Sequence, residues 1–540
     1  VWDDTLSIIT DVEGATEEEL ISLYSSIYRL YMYPNNMSEN TGTAEEPVWQ
    51  YRSPYGEHEI EDGKIYINNG FWDTYRTTWA AYSLFTPNYD TELLNGLVEH
   101  YQSNGWVPRW VAPGGTNSMV GTSSDVVFGD AIEKGIEFNY EDAYKSTLRN
   151  SATVSSNLTG GGRKNLETSI FQGYVAGTSE NFSWSIESYI NDYGIAQMAK
   201  NLAEAETDPA KKAAYESEYQ YYLNRAQNYA LLFYQAGGEI DDMWLRGKEA
   251  NGAWTTANNT DGEYDPVRWQ GDYTETNGYN MSVSVPQDAQ GLANLYGGRD
   301  ALAAKIDSIL TDYTPFSGYG AEGGNGGIHE QKEAREVKLG QLGHNNQPSH
   351  HILYMYDYAG QPWKAQYYVR DILKRCFVGS TFGQGYLGDE DNGEMSGWYI
   401  FSALGFYPTN MGSGEYTIGS PLFDSVTVNM DNGKQIKITA NNNSDENVYI
   451  QSMTLNGEAY DKCYFSHEDL ANGAEIVFNM GSTPNEEWGS SEDSLPSSIT
   501  EGDEIPSPDM DATDSYTEAV DNAADVTTAD AADDTLYGNI

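Results

Sequence analysis

The chain has 540 residues, of which 39% are hydrophobic, so it can form a large core and, by length, two or three domains. Its 29 lysines and arginines face 82 aspartates and glutamates, which gives a formal net charge of -53. Because a phosphate backbone is bound by a basic surface, this balance argues against nucleic acid as a partner. The sequence contains no run of about 20 apolar residues, which excludes a membrane span.

The two cysteines, Cys376 and Cys463, lie far apart and in no metal-ligand spacing. We therefore expect no structural zinc and at most one disulfide. The sequence starts at Val1 with neither a methionine nor an apolar signal segment, so we expect a processed form or a fragment.

Helical periodicity dominates the first 400 residues. Apolar side chains recur at three- and four-residue steps over residues 17–33, which predicts a helix that Pro34 ends. The same period predicts helices over residues 90–103, 125–136, 140–154, 185–205, 209–235, 288–296, 299–313, 349–358, 362–377 and 394–404. About ten to twelve helices with long loops rich in Gly and Asn favour a closed toroid of helical hairpins, because small bundles have short connections.

After Gly412 the pattern changes to period two, which predicts short strands at 416–418, 425–428, 435–438 and 448–450. From Ser490 onward the chain has no Lys or Arg and few large apolar residues, which is typical of a disordered acidic tail or linker. We therefore predict a mainly α protein: an (α/α)6 toroid over residues 1–411, a small β-rich segment packed on it over 412–489, and a disordered tail over 490–540.

Two loops that interrupt the helical pattern carry candidate site residues. In the first, residues 70–76, Trp72 and Arg76 flank Asp73; an Asp73–Arg76 ion pair under the tryptophan is the plain structural alternative. In the second, residues 273–279, Glu275 lies in a stretch that is equally typical of a helix N-cap.

Two further loops are richer in chemistry. Residues 344–351 pack amides and imidazoles against a proline, and Gln347 there is neutral at any pH, so it cannot give a proton. Residues 385–398 hold four acids before a helix, and the spacing of Asp389 and Asp391 lets both face one water or one cation. A solvated turn with an N-cap is the alternative. Carboxylate and amide oxygens are the ligands that Ca²⁺ prefers, although the spacing is not that of an EF-hand.

Four separated blocks resemble glycoside hydrolase family 92: Phe-Trp-Asp-Thr-Tyr-Arg at 71–76, Pro-Ser-His-His at 348–351 with Tyr-Ala-Gly-Gln-Pro-Trp at 358–363, Gly-Asp-Glu-Asp-Asn-Gly-Glu-Met-Ser at 388–396, and Ser-Ala-Leu-Gly-Phe-Tyr-Pro at 402–408. The resemblance runs from about Leu23 to Trp488. It implies a calcium-dependent, inverting exo-α-mannosidase, usually secreted by bacteria, with an N-terminal β-sandwich packed on an (α/α)6 toroid. The chain has no room for that sandwich, so we expect it to be absent or supplied by another chain.

The resemblance also implies roles for individual residues. Asp391 with Asp389 is expected to activate the water that attacks one face of the sugar. The terminal mannose is expected to contact Trp72, Asp73, Arg76 and His350. Calcium would bind adjacent sugar hydroxyls, with ligands expected from Asn345, Glu275 and Asp391.

The resemblance implies a glutamate general acid at the position that Gln347 occupies. Loss of the acid costs about 10²–10⁴-fold on an ordinary glycoside, whereas a phosphate leaving group departs as a stable anion. A subgroup with glutamine there implies cleavage of mannose-α-1-phospho-6-mannose, which leaves mannose 6-phosphate on a phosphomannan or N-glycan. Our leading hypothesis is this hydrolase, with His344, Asn346 and Gln347 lining the phosphate subsite.

Two alternatives stay open at this point. The first is an ordinary α-1,2-mannosidase in which another carboxyl, such as Glu275 or Glu394, supplies the proton. The second is a catalytically inactive, calcium-dependent mannan-binding protein.

Overall fold

The computed structural model describes residues 2–260, 262–318 and 327–508. Its helices are α1 Trp2–Leu6, α2 Glu17–Leu30, α3 Phe71–Thr74, α4 Thr78–Phe85, α5 Pro87–Asn104, α6 Ser124–Glu133, α7 Tyr140–Ala152, α8 Leu166–Gln172, α9 Asn181–Ala205, α10 Pro209–Ala226, α11 Gly278–Met281, α12 Ala289–Tyr296, α13 Arg299–Thr311, α14 His329–Val337, α15 Met355–Tyr358, α16 Pro362–Cys376, α17 Glu394–Leu404 and α18 His467–Ala471. Short 3₁₀ turns include Pro286–Asp288, Gln347–Ser349, Ile352–Tyr354 and Glu492–Ser494.

Within these ranges, twelve helices alternate between an inner and an outer ring. The inner helices are buried on nearly every side: all residues of α4 and of α17 are buried, as are all of α6 except Glu133. Their outer neighbours bury one face only, and α10 buries just four of its 18 residues. The ring closes where α17 packs against α2 and α4. The predicted (α/α)6 toroid is confirmed.

Helix boundaries follow ordinary capping chemistry. Thr16 and Glu19 form a capping box at the start of α2. Pro209 opens α10 after the N-cap Asp208, whose carboxylate accepts from two backbone amides. Gly105 ends α5 in the left-handed conformation that glycine adopts readily.

The β-rich part contains a six-stranded sheet in the order β1-β17-β18-β22-β19-β20. Its strands are β1 Ile9–Glu13, β17 Ser425–Asn429, β18 Gln435–Asn441, β19 Tyr449–Leu455, β20 Glu458–Tyr460 and β22 Ala474–Gly481. Burial alternates strictly along β18, as expected of a sheet with one solvated face. Strand β1 comes from the start of the chain, so the sheet joins it to strands that lie more than 400 residues later. A three-stranded sheet of β15 Phe406–Tyr407, β16 Glu415–Ile418 and β21 Tyr464–Ser466 lies beside it.

The remaining strands are short and belong to loops: β2 Asn35–Asn36, β3 Glu39–Asn40, β4 Trp49–Arg52, β5 Ile60–Asp62, β6 Tyr66–Ile67, β7 Asn69–Gly70, β8 Trp110–Val111, β9 Phe233–Gln235, β10 Met243–Leu245, β11 Asn259–Thr260, β12 Glu263–Tyr264, β13 Arg268–Trp269 and β14 Ser317–Gly318. The helix predicted over 209–235 ends at Ala226, because its last residues turn into a 3₁₀ segment and then pair in a hairpin of β9 and β10. The helix predicted over 349–358 is a pair of 3₁₀ turns followed by α15.

The predicted disorder is wrong for residues 490–508, which we call the strap. The strap crosses from the β-rich part to the toroid, and Ser498 Oγ and the Thr500 backbone N–H donate to the buried carboxylate of Asp288. Ser497 donates to Glu415 in the same way. The strap has few apolar side chains, yet it is ordered because the carboxylates of Asp288 and Glu415 accept its hydrogen bonds. The rest of the predicted tail, residues 509–540, lies outside the described residues.

Cys376 and Cys463 are both buried and unpaired, so they form no disulfide. Across residues 2–260, 262–318 and 327–508, no helix is long and apolar enough to cross a membrane.

Candidate active site

Two loop segments meet at one end of the toroid. One contains the 3₁₀ turn Gln347–Ser349, and the other leads into α17. A Cβ on Gly388 would lie 2.0 Å from the carbonyl oxygen of Asn345, so only glycine allows this approach. The glycine therefore holds the acidic loop against the amide-rich loop, as the clustering of motifs predicts.

Two adjacent amide side chains each hold one carboxyl group. Asn346 Nδ2 donates to Glu275 Oε2 at 2.8 Å, and Gln347 Nε2 donates to Asp391 Oδ2. Asn346 has an extended backbone (φ -144°, ψ 151°), so consecutive side chains leave the chain in opposite directions. The arrangement separates the two carboxyl groups while it keeps them in one site.

Asp391 is held in an unusual environment. Its backbone is left-handed (φ 53°), and the next residues, Asn392 and Gly393, are left-handed too. Burial raises the pKa of Asp391 to about 7. The Gln347 amide opposes that shift, and the charges of Asp389, Glu394 and Glu275 add to it. A carboxyl group that titrates near neutrality suits a general base.

Glu275 is the second carboxyl group of the site, and its backbone is also left-handed (φ 52°). Burial raises its pKa above the ordinary value. The Asn346 amide opposes this, whereas the negative charges of Glu330, Glu180 and Asp389 favour the protonated form. A buried acid surrounded by other acids can keep a proton to donate.

Asp389 does not join Asp391 at Gln347. Its side chain is 58% exposed and lies at the rim, with Oδ2 4.0 Å from His329 Nδ1 at the start of α14. Asp389 therefore acts on Asp391 through its charge, whereas Gln347 touches Asp391 directly.

Glu394 is committed to the framework. Its carboxylate lies 2.7 Å from His350 Nδ1 and accepts from Thr77 Oγ1, and both residues of the Glu394–His350 pair are fully buried. The other nitrogen of His350 lies 2.9 Å from the carbonyl oxygen of His344. The two ring nitrogens of His350 are thus used inside the protein.

His344 lies behind the loop and packs among other ring side chains. Its imidazole packs edge-on against Trp398 at 4.2 Å between ring centroids and lies 4.6 Å from the ring of His350. Burial lowers the pKa of His344 well below its usual range, so the ring is neutral. Its Nε2 has no hydrogen-bond partner among the described residues.

The predicted sugar-binding block lies on α3 and just after it. Arg76 pairs with Glu187 of α9 at 2.7 Å, so the alternative of an Asp73–Arg76 pair is not what the structure contains. Asp73 is 2% exposed, and burial raises the pKa of its carboxyl well above the ordinary value, with Asp391 and Glu275 adding to the shift. Trp72 and Arg76 line a narrow internal cavity below the carboxyl pair.

Oxygen atoms for a cation are present in the loop 344–347. Asn345 Oδ1 and Gln347 Oε1 are buried and have no hydrogen-bond partner among the described residues. Among all the residues that the structure describes, no group of three or more His, Cys, Asp or Glu side chains is arranged to hold a metal. A hard cation that accepts amide and carboxylate oxygens, such as Ca²⁺, fits this donor set, whereas a metal that needs several His or Cys ligands does not.

Sequence reasoning missed two residues of this site. Glu187 lies in α9, whose first 19 residues are all buried, so no amphipathic period marks it. His329 opens α14, a helix that was not predicted because the preceding sequence is rich in glycine and shows no helical period. Glu187 is the only charged residue of 181–191, and that is the signal that could have found it.

The geometry can be compared with known proteins. An inverting mannosidase of family GH92 from Bacteroides thetaiotaomicron is 32% identical and superposes with a TM-score of 0.79; the match covers 92% of this chain and 64% of that chain. An α-mannosidase of the same family and organism is 29% identical, with a TM-score of 0.78, over 95% of this chain and 62% of its own. An uncharacterized secreted glycosidase from Arthroderma benhamiae is 23% identical over 93% of this chain and 58% of its own length.

This chain thus spans about three fifths of the length of the relatives that it matches. The sequence pattern of the glycosyl hydrolase family 92 catalytic domain matches residues 1–482, which include the whole carboxyl pair and its two amides. The chain therefore belongs to glycosyl hydrolase family 92.

Proposed function

We propose that this chain is an inverting, exo-acting α-mannosidase that cleaves neutral α-mannosides, with Asp391 as general base and Glu275 as general acid. The observation that supports it best is the pair of hydrogen bonds from Asn346 to Glu275 and from Gln347 to Asp391. An inverting mechanism needs two carboxyl groups far enough apart for a water between one of them and the sugar. Asn346 and Gln347 each hold a different carboxyl group, which keeps the two groups on separate partners within one loop.

In the proposed reaction Asp391 takes a proton from a water while that water attacks the anomeric carbon. Gln347 holds one oxygen of the carboxylate, which leaves the other oxygen for the water. Glu275 gives its proton to the departing oxygen, so the leaving group departs as a neutral alcohol.

The choice of acid follows from what the other carboxyl groups do. Glu394 is fully buried, accepts from Thr77 and pairs with His350, so it belongs to the framework and is not assigned as the acid. Glu390 accepts from the backbone of Gly393 and lies near Arg29. Of the two acids considered from the sequence, Glu275 is the one in the cleft.

We propose Ca²⁺ as the cofactor, bound by the buried side-chain oxygens Asn345 Oδ1 and Gln347 Oε1. The family resemblance also implies Glu275 and Asp391 as ligands, but the proposed reaction uses these two as acid and base. The unpartnered buried oxygen of Asn345 supports this assignment. A bound Ca²⁺ would supply positive charge to neighbouring sugar hydroxyls. The chain's own part is to keep amide and carboxylate oxygens in place around the sugar.

A mannosyl phosphodiester is the second candidate substrate. One observation favours it: Gln347 has two amide hydrogens, and only one is needed for Asp391. Two observations weigh against it, because His344 is neutral and packed behind the loop, and because the amide of Asn346 already serves Glu275. The negative charges of Asp389 at the rim and of the Asp391 carboxylate also repel an anion.

A direct comparison of substrates tests the proposal. We expect faster release of mannose from an α-1,2-linked dimannoside than from mannose-α-1-phospho-6-mannose, followed by chromatography of the free sugar. The reverse preference would establish the phosphodiester. No release from either substrate, or from an activated aryl mannoside, would favour the mannan-binding protein. The Arthroderma relative is named as secreted, which supports an extracellular mannose-containing glycan as the partner.

A further inference from the structure

The narrow cavity below the carboxyl pair has features that the proposed reaction does not use. Its polar wall includes Trp72, Arg76, Glu187 and Thr274, and its apolar wall includes the side chains of Ile190 and Met411. The space holds about two water molecules and is too small for a sugar ring. Any contact between this cavity and a sugar therefore involves hydroxyl groups or water.

Each of the four polar residues that line the cavity has a buried atom without a hydrogen-bond partner among the described residues. Trp72 Nε1, Arg76 Nε, Glu187 Oε2 and Thr274 Oγ1 have no hydrogen-bond partner among the described residues. Trp72, Glu187 and Thr274 are 2–3% exposed. Leaving such groups unpaired is costly, so groups of this kind are normally satisfied by water or by a ligand.

The four atoms suit hydroxyl chemistry. Two of them, on Trp72 and Arg76, only donate hydrogen bonds; Glu187 only accepts, and the Thr274 hydroxyl does both. The Arg76–Glu187 pair, joined at 2.7 Å, leaves the cavity with no net charge. A neutral group that donates and accepts at once, such as water or a sugar hydroxyl, matches this set better than an ion does.

We infer that Glu187 is a positioning residue of the sugar site: one carboxylate oxygen holds the Arg76 guanidinium, and the other, with Thr274 and Trp72, binds two ordered waters that hydrogen-bond the hydroxyls of the terminal sugar. The inference rests on the proposed function, because it assumes that a monosaccharide lies above Trp72 and Arg76. It adds to the sugar site a residue, Glu187, that lies outside the four sequence blocks that resemble the family.

Two variants test the inference. Glu187→Gln keeps the shape and removes the charge on Arg76's partner, and Thr274→Val removes one hydroxyl at nearly constant volume. We expect KM for an aryl α-mannoside to rise about tenfold in E187Q and by a few-fold in T274V, with a smaller change in kcat. Glu218→Gln is the matched control, since Glu218 is also buried and accepts from Tyr144 at 2.5 Å on the outer ring; its KM should stay at the wild-type value.

Direct measurements separate this inference from the proposed function. Titration calorimetry with mannose, the reaction product, should show the same order of affinities without turnover, and a crystal structure at high resolution should show two waters between Glu187 and Thr274. Wild-type KM and affinity in both E187Q and T274V, or an empty cavity in the crystal, would overturn the inference. A wild-type protein that neither binds nor cleaves mannosides would overturn the proposed function and the inference together. A wild-type protein that binds mannose, with unchanged affinity in E187Q and T274V, would overturn the inference alone.

Discussion

Glu275 and Asp391 share a backbone conformation that few residues other than glycine adopt: their φ angles are 52° and 53°. A left-handed backbone costs an ordinary residue about 1–2 kcal/mol, and strain of this kind concentrates where a fold must aim a functional side chain. The two strained residues are also the two that accept amides from Asn346 and Gln347. Both carboxyl groups of the pair are therefore presented by a strained, left-handed backbone.

Asp391→Asn should remove the base. An amide cannot take a proton from water, so kcat on an α-1,2-linked dimannoside should fall about 10²–10⁴-fold, whereas the melting temperature should change little because Asp391 lies in a loop. Steady-state kinetics and thermal unfolding check this together. Turnover near the wild-type rate would mean that another carboxyl group activates the water.

Glu275→Gln should separate substrates by their leaving groups. Cleavage of the dimannoside should fall about 10²–10⁴-fold, because its alkoxide must be protonated as it departs. A dinitrophenyl α-mannoside, whose leaving group is already a stable anion, should lose far less. Equal losses on both substrates would assign Glu275 to binding rather than to proton transfer.

Gln347→Ala should move one limb of the pH profile. The Gln347 amide favours the ionised form of Asp391 and so lowers its pKa; without the amide, the pKa rises. The limb of kcat/KM against pH that belongs to Asp391 should therefore shift to higher pH, by about one unit, and Gln347→Glu should shift it further. Gln366→Ala, a buried amide that binds the backbone of Ile450, should leave the limb in place. A shift to lower pH would contradict the contact.

Removal of calcium should abolish activity, and added Ca²⁺ should restore it. Because a ligand that binds the folded state stabilises it, the melting temperature should also rise with Ca²⁺ concentration. Asn345→Ala should weaken the Ca²⁺ dependence of the melting temperature, since Asn345 offers a buried oxygen with no other partner among the described residues. Full activity after exhaustive chelation would exclude the metal.

Asp357 gives a prediction about stability and pH. It is fully buried, neither carboxyl oxygen has a partner from another described residue, and burial raises its pKa well above the ordinary value. The folded state keeps this proton at pH values where the unfolded chain has lost it, so the free energy of unfolding falls as the pH rises from about 4 towards the folded pKa. Asp357→Asn removes that loss.

The measurement is the urea midpoint of the wild type and of D357N between pH 5 and pH 8. The wild type should lose stability over this range by a margin that D357N does not show, and the variant should be at least as stable at pH 8. Asp445→Asn, at an exposed site paired with Lys374, should change little. Parallel curves for wild type and D357N would rule out a protonated Asp357.

The outer helices and the sheet could be predicted from the sequence because one face of each is solvated, which leaves a period to read. The period is harder to read in the inner helices: α6 and α17 were predicted, but α4, which has no exposed residue, was missed, and only part of α9 was recognised. Among site residues, Asp391, Gln347 and Glu275 were found by motif. The partner of each was not, because the contacts Gln347–Asp391 and Arg76–Glu187 join residues 44 and 111 positions apart.

The strap also affects where the chain can be shortened without loss of stability. Asp288 begins α12 and accepts three hydrogen bonds from Ser498 and Thr500, which lie beyond residue 482, where the family pattern ends. A chain cut at that point would keep every catalytic residue and leave a buried carboxylate short of donors, at about 1.5–3 kcal/mol for each bond to a charged group. The ordered part of the chain thus extends past residue 482, where the family pattern ends, and the strap binds Asp288 of the toroid.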